Sequence, residues 1–166
     1  MTTSTRRAII GALIVAAWAV PGVSTYVAAD NTMSCTAEAD FTMTPGLSAN
    51  PSSGTFGTGN PGTVDCKGGV KGTVAFSGKY GTKDPDSCSS GGEGSSTTTY
   101  KFADGSTVTD DGVEFTYGPF QGGALGGSYK GKSSSGTFEV TSVQGDCVSK
   151  PITNAHASFK NVVIKR

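Results

Sequence analysis

The chain has 166 residues, 35% of them apolar and only 16% charged, and its 13 basic side chains balance its 13 acidic ones. Those figures exclude a large multidomain protein, a nucleic-acid binder that works by bulk charge, and a highly charged disordered tail.

Residues 1–29 have the three-part layout of a secretory signal peptide. Arg6 and Arg7 supply a basic start, Ala8 to Val20 is an apolar run, and Pro21-Gly22 precedes small residues at Val27 and Ala29. The apolar run is 13 residues long, short of the roughly 20 that span a bilayer as a helix. Cleavage is therefore expected before Asp30, leaving 30–166 as one exported domain, extracellular or in the cell wall, with no stable membrane span. Arg6 and Arg7 leave with the leader, so 11 basic side chains then face 13 acidic ones in 137 residues. Arg166 is the last arginine and Trp18 lies in the leader. Without arginine forks, phosphate-rich ligands and nucleic acid are not expected partners.

Glycine, serine and threonine make up 59 of the 137 residues. That is too little bulky apolar material for a helical core, but it suits a thin sheet-based one with many turns. From Cys35 to Thr44 the odd positions are Cys35, Ala37, Ala39, Phe41 and Met43 and the even ones are polar, the period of a half-buried strand. Thr55 to Thr58 and Thr63 to Lys67 are short candidate strands. Val70 to Tyr80 alternates again, with Gly72 and Gly78 in the apolar phase. Ser87 to Thr99 (SCSSGGEGSSTTT) reads as a flexible surface loop by composition. Tyr100 and Phe102 then lead into Ala103-Asp104-Gly105-Ser106, a hairpin turn signal. The following strand changes phase at Asp110-Asp111-Gly112, between Val108 and Val113, which predicts a bulge. Strands are also expected at Ser128 to Lys132, Thr137 to Val143 and Ala155 to Ile164. The sum is an all-β domain of about eight to nine short strands, an antiparallel β-barrel or a β-sandwich, with the strand glycines favouring a coiled barrel.

Cys35, Cys66, Cys88 and Cys147 are an even set in an exported chain, so two disulfides are expected. No CxxC pair occurs, which argues against a thioredoxin-type motif or a zinc knuckle. Three pairings are open. Cys35 and Cys66 share the phase of apolar neighbours, which favours Cys35–Cys66 and leaves Cys88–Cys147.

The residues offer little chemistry. His156 is the only histidine, and no GxSxG elbow accompanies it. In Ala155-His156-Ala157-Ser158-Phe159 it stands opposite the apolar phase, as a solvent-facing strand residue does. Asp84, Asp86, Asp110 and Asp111 could offer oxygen to calcium but lack the spacing of a dedicated loop, and read as turn residues. Glu38, Asp40, Glu114 and Glu139 fall on strands, where a carboxylate pair for glycoside hydrolysis is geometrically open; solvated wall residues are the plainer reading. Phe56 and Phe120 lie in glycine-rich surroundings and are read as tucked under their own loops. No catalytic, cofactor or metal residue is assigned, and no cofactor is expected.

The order Cys35, Phe41-Thr42-Met43-Thr44-Pro45-Gly46-Leu47, Cys66, Cys88, the Asp104-Gly105-Ser106 turn, Gly136-Thr137-Phe138 and Cys147 resembles a group of small secreted four-cysteine all-β proteins of actinobacteria. Phe102 stands where members of that group often have tryptophan. The group has no assigned activity, so the resemblance implies export and a β fold and carries over no site residues. The expectation is a secreted, disulfide-stabilised, non-catalytic module that binds an extracellular ligand or protein, or serves the cell envelope. A small extracellular hydrolase using His156 or a strand carboxylate pair, and a protease inhibitor presenting 87–99 or 118–123, are the alternatives.

Overall fold

A computed structural model describes residues 31–166; the expected leader, its basic start and its cleavage point lie outside the described residues. Every regular element among them is a strand: β1 (Thr32–Leu47), β2 (Gly54–Gly57), β3 (Gly62–Cys66), β4 (Val70–Tyr80), β5 (Gly92–Phe102), β6 (Thr107–Tyr117), β7 (Ala124–Lys130), β8 (Ser134–Gln144) and β9 (Ile152–Lys165). Neighbours in sequence pair antiparallel except β2 and β3, and β1 pairs with β9, so the sheet closes into a barrel. Of the barrel and the sandwich, the barrel forms, and closure leaves no edge strand to protect. Among the described residues, no helix is long and apolar enough to cross a membrane.

The barrel has eight staves because β2 and β3 share one position, both lying between β1 and β4. The break falls at Thr58, whose side chain stands in for the missing ladder. Its N–H donates to Phe76 O at 3.0 Å, and its hydroxyl accepts from Phe76 N–H at 3.2 Å. The expected phase change in β6 is a bulge: Ser96 faces Val113 while Thr98 faces Asp110, and Gly112 takes φ 73° to absorb the extra residue. β9 has a second bulge at Asn161, with φ 52°. It returns Val162 and Ile164 to the interior after Ala155 and Ala157.

The run from Ser87 to Thr99 corrects the sequence reading. Gly92 onward is strand β5, paired along its length with β4 and β6, and Asp86, Ser87 and Cys88 are buried. Glycines suit this strand because neighbouring groups occupy the space in front of it, the Asp86 carboxylate at Gly92 and a ring at Gly94. A Cβ on Gly94 would collide with the ring of Phe115, its register partner on β6. The same relation holds for Gly127 under Phe138 and for Gly78 under Phe56. Phe56 is thus no loop residue; it points into the barrel from β2.

Both disulfides are present, Cys35–Cys66 and Cys88–Cys147. The first bridges register partners on β1 and β3. The second gathers the loops of one barrel end. Cys88 is fully buried, its N–H donates to Ser48 O at 3.0 Å, and its carbonyl accepts from Phe120 N–H at 2.6 Å. The bonded Cys147 accepts from Ala49 N–H at 3.1 Å. Loops 48–53, 81–91, 118–123 and 145–151 therefore all meet at one cystine, which caps this end.

Candidate functional site

The inward positions of the barrel carry a closed circuit of five phenylalanines. Phe56 meets Phe115 at 5.4 Å between ring centroids, Phe115 meets Phe138 at 6.4 Å, and Phe138 meets Phe159 at 6.3 Å. Phe159 meets Phe76 at 5.6 Å, and Phe76 returns to Phe56 at 6.1 Å. Most of these contacts are edge-on or tilted, the geometry aromatic quadrupoles favour. Phe41 docks on both Phe56 and Phe76, and Tyr129 stands edge-on to Phe159. Phe56, Phe115, Phe138 and Phe159 are only half-buried.

The circuit lines a half-open cavity of about 100 Å³, with Leu47, Ile152, Tyr80 and Tyr117 towards the capped end and Tyr100, Tyr129 and Val74 towards the other. Among the described residues, no charged side chain lines it. The polar atoms of its wall are hydroxyls, and the tyrosines have partners. Tyr80 donates to Pro45 O, Tyr117 donates to the Asp86 carboxylate at 2.9 Å, and Tyr100 and Tyr129 share a contact at 3.4 Å. Burial raises the pKa of all four phenols above the usual tyrosine value; the adjacent Asp86 carboxylate adds to this at Tyr117 and Tyr100 does so at Tyr129. Ser96 and Thr98 on β5 supply the remaining hydroxyls.

Two buried carboxylates hold the frame around this cavity, and neither is an exposed turn residue. Asp86 accepts Gly81 N–H at 2.8 Å, Glu93 N–H at 3.1 Å and the Tyr117 hydroxyl. Asp110 accepts the backbone N–H groups of Lys132, Ser133 and Ser134 and the Ser134 hydroxyl. Three protein donors converge on Asp86 Oδ2 and four on the two oxygens of Asp110, so both carboxylates act as structural clasps. Among the described residues, no group of three His, Cys, Asp or Glu is placed to hold a metal ion.

The residues weighed for catalysis lie on the other side of the sheet. His156 is on the outer wall, with Nδ1 2.7 Å from Asp40 Oδ1 and side chains 37% and 83% exposed. Its register neighbours are Asp40 on β1 and Thr141 on β8. Glu38 and Glu139 flank Ser158 one row away, and Glu114 sits across the barrel on β6 opposite Lys130. The wall brings His156 and Asp40 together but leaves them on an open surface. Of the loops weighed for inhibition, 118–123 turns Phe120 against the core, and 87–91 is bound into the cap.

Composition places Gly94, Ser96 and Thr98 in a surface loop and marks no role for Gly127. The signal for the β5 residues was present: Gly92, Gly94, Ser96 and Thr98 are in phase with Tyr100 and Phe102. Small residues score as polar or loop-forming, so the alternation is silent unless the ring opposite is known.

No protein-family model, curated protein or solved structure matches the chain.

Proposed function

We propose that the protein is a secreted, non-catalytic binding module of the extracellular space or cell wall, with the barrel interior as its binding site. The observation that carries this reading is the cavity inside the phenylalanine circuit. Protein interiors pack as densely as organic crystals, and leaving about 100 Å³ to no protein side chain gives up roughly 2 kcal/mol of packing. One larger side chain at Ala157 or Ser96, both on its wall, would fill it. An interior that keeps such a space, in a frame fixed by two cystines, suits a ligand that completes the packing. The two cystines also fit an oxidising compartment, as export requires. The binding reading is preferred to hydrolysis because, among the described residues, the cavity wall carries no acid, base or nucleophile beyond hydroxyls, and the His156–Asp40 pair faces away from it.

Native mass spectrometry of the protein from culture medium tests the reading. The expected species is residues 30–166 with four oxidised thiols and a small adduct lost on denaturation. A leader-bearing, reduced chain would overturn it. So would a hydrolytic activity abolished by His156→Ala, or tight inhibition of an extracellular protease.

A further inference from the structure

We infer that the cavity takes a small uncharged molecule built on a single aromatic ring, a phenol in type, with its hydroxyl directed to Ser96 and Thr98. This rests on the binding reading above and names the ligand class for the same site. Size sets the first limit: about 100 Å³ is several times the ~30 Å³ share of a water and is near the ~150 Å³ of an apolar cavity that holds benzene. One ring fills that space with small shifts of the half-buried phenylalanines, whereas a fused ring system or a long acyl chain would have to extend out of it. Wall chemistry sets the second. Without a charged lining residue, an ionised ligand would lose its hydration uncompensated. The ring circuit already spaces its centroids at 5.4 to 6.4 Å, and a guest ring can continue that edge-to-face array. The polar limit comes from β5: Tyr80 and Tyr117 donate to Pro45 and Asp86, Tyr100 and Tyr129 contact each other, and Ser96 and Thr98 are the wall hydroxyls without a protein partner among the described residues. Their positions two apart on one strand put both on the same face.

The test is a methyl-resolved NMR titration of the oxidised protein with benzene, phenol, benzoate and xenon. Saturable shifts are expected at the methyls of Val113, Leu125 and Ile152 with benzene, phenol and xenon, and none with benzoate. The Ser96→Ala/Thr98→Val variant should weaken phenol about fivefold, the worth of one hydrogen bond of about 1 kcal/mol, and leave benzene unchanged; Thr98→Val alone serves if the double variant does not fold. Xenon shifts without benzene or phenol shifts would overturn the ligand class while leaving the binding reading intact. Silence with xenon as well would mean a filled interior, and both would fall. Binding of benzoate would overturn the uncharged class, and equal weakening of phenol and benzene would overturn the role given to Ser96 and Thr98.

Discussion

Ser134 donates both its backbone N–H and its hydroxyl to a single oxygen of Asp110, at 2.7 and 2.8 Å. The pairing repairs a gap in the barrel. β7 reaches only Glu114 to Tyr117 of β6, so the first half of β6 has no ladder on that side, and the Asp110 carboxylate gathers the N–H groups of the β7–β8 turn instead. Asp110 is 2% exposed. Asp110→Ala should leave three N–H groups without partners and lower stability by about 3 kcal/mol or more, read from the urea midpoint. Asp110→Asn, which keeps the shape but not the charge, should cost less.

The two cystines should separate in what they hold. Their sequence separations of 31 and 59 residues give similar chain-entropy contributions of about 4 kcal/mol each. Replacing either pair by alanine should therefore lower the global midpoint comparably. Amide exchange should tell them apart, because Cys88 joins four loops. Losing Cys88–Cys147 should speed exchange at Ala49, Cys88 and Phe120 while β1 and β3 stay protected. Faster exchange confined to β1 and β3 in that variant would contradict the assignment of the cap to Cys88.

Gly94→Ala and Gly127→Ala should each destabilise by about 1–3 kcal/mol, the usual cost of overpacking, although alanine is ordinarily harmless in place of glycine in a strand. Each added Cβ meets a carbonyl of an adjoining strand, Lys79 O or Thr116 O, and the ring of Phe115 or Phe138. Combining Gly94→Ala with Phe115→Leu should recover part of the loss, measured as a positive coupling in a double-mutant cycle. Simple additivity would show that the ring does not lie over the glycine.

Tyr80, Tyr100, Tyr117 and Tyr129 should resist ionisation in the folded protein. Burial lifts each pKa above the ordinary value, which is about 10. A group raised in the folded state contributes stability that is whole below its unfolded pKa and is lost as pH climbs towards the folded one. Ultraviolet titration should thus show little phenolate just above pH ~10, then a cooperative rise coinciding with loss of the far-ultraviolet β signal. Gradual ionisation of all four with the sheet intact would place them in solvent.

The sequence by itself determined the class of structure. Alternation in β1, β4 and β9 is local, since each residue's face follows from the pleat, and the Asp110-Gly112 phase change marked a bulge without reference to any partner. Even the Cys35–Cys66 pairing drew on that phase. The tertiary structure decided what lies inside. Gly92 to Thr98 looks like a loop because its small residues bury little surface of their own; only the register that sets Gly94 against Phe115 turns them into wall. Phe56, Phe76, Phe115, Phe138 and Phe159 come from five different strands, and no spacing along the chain announces that they close a circuit. Closure against eight staves is a long-range condition, and so is the space it leaves at the centre.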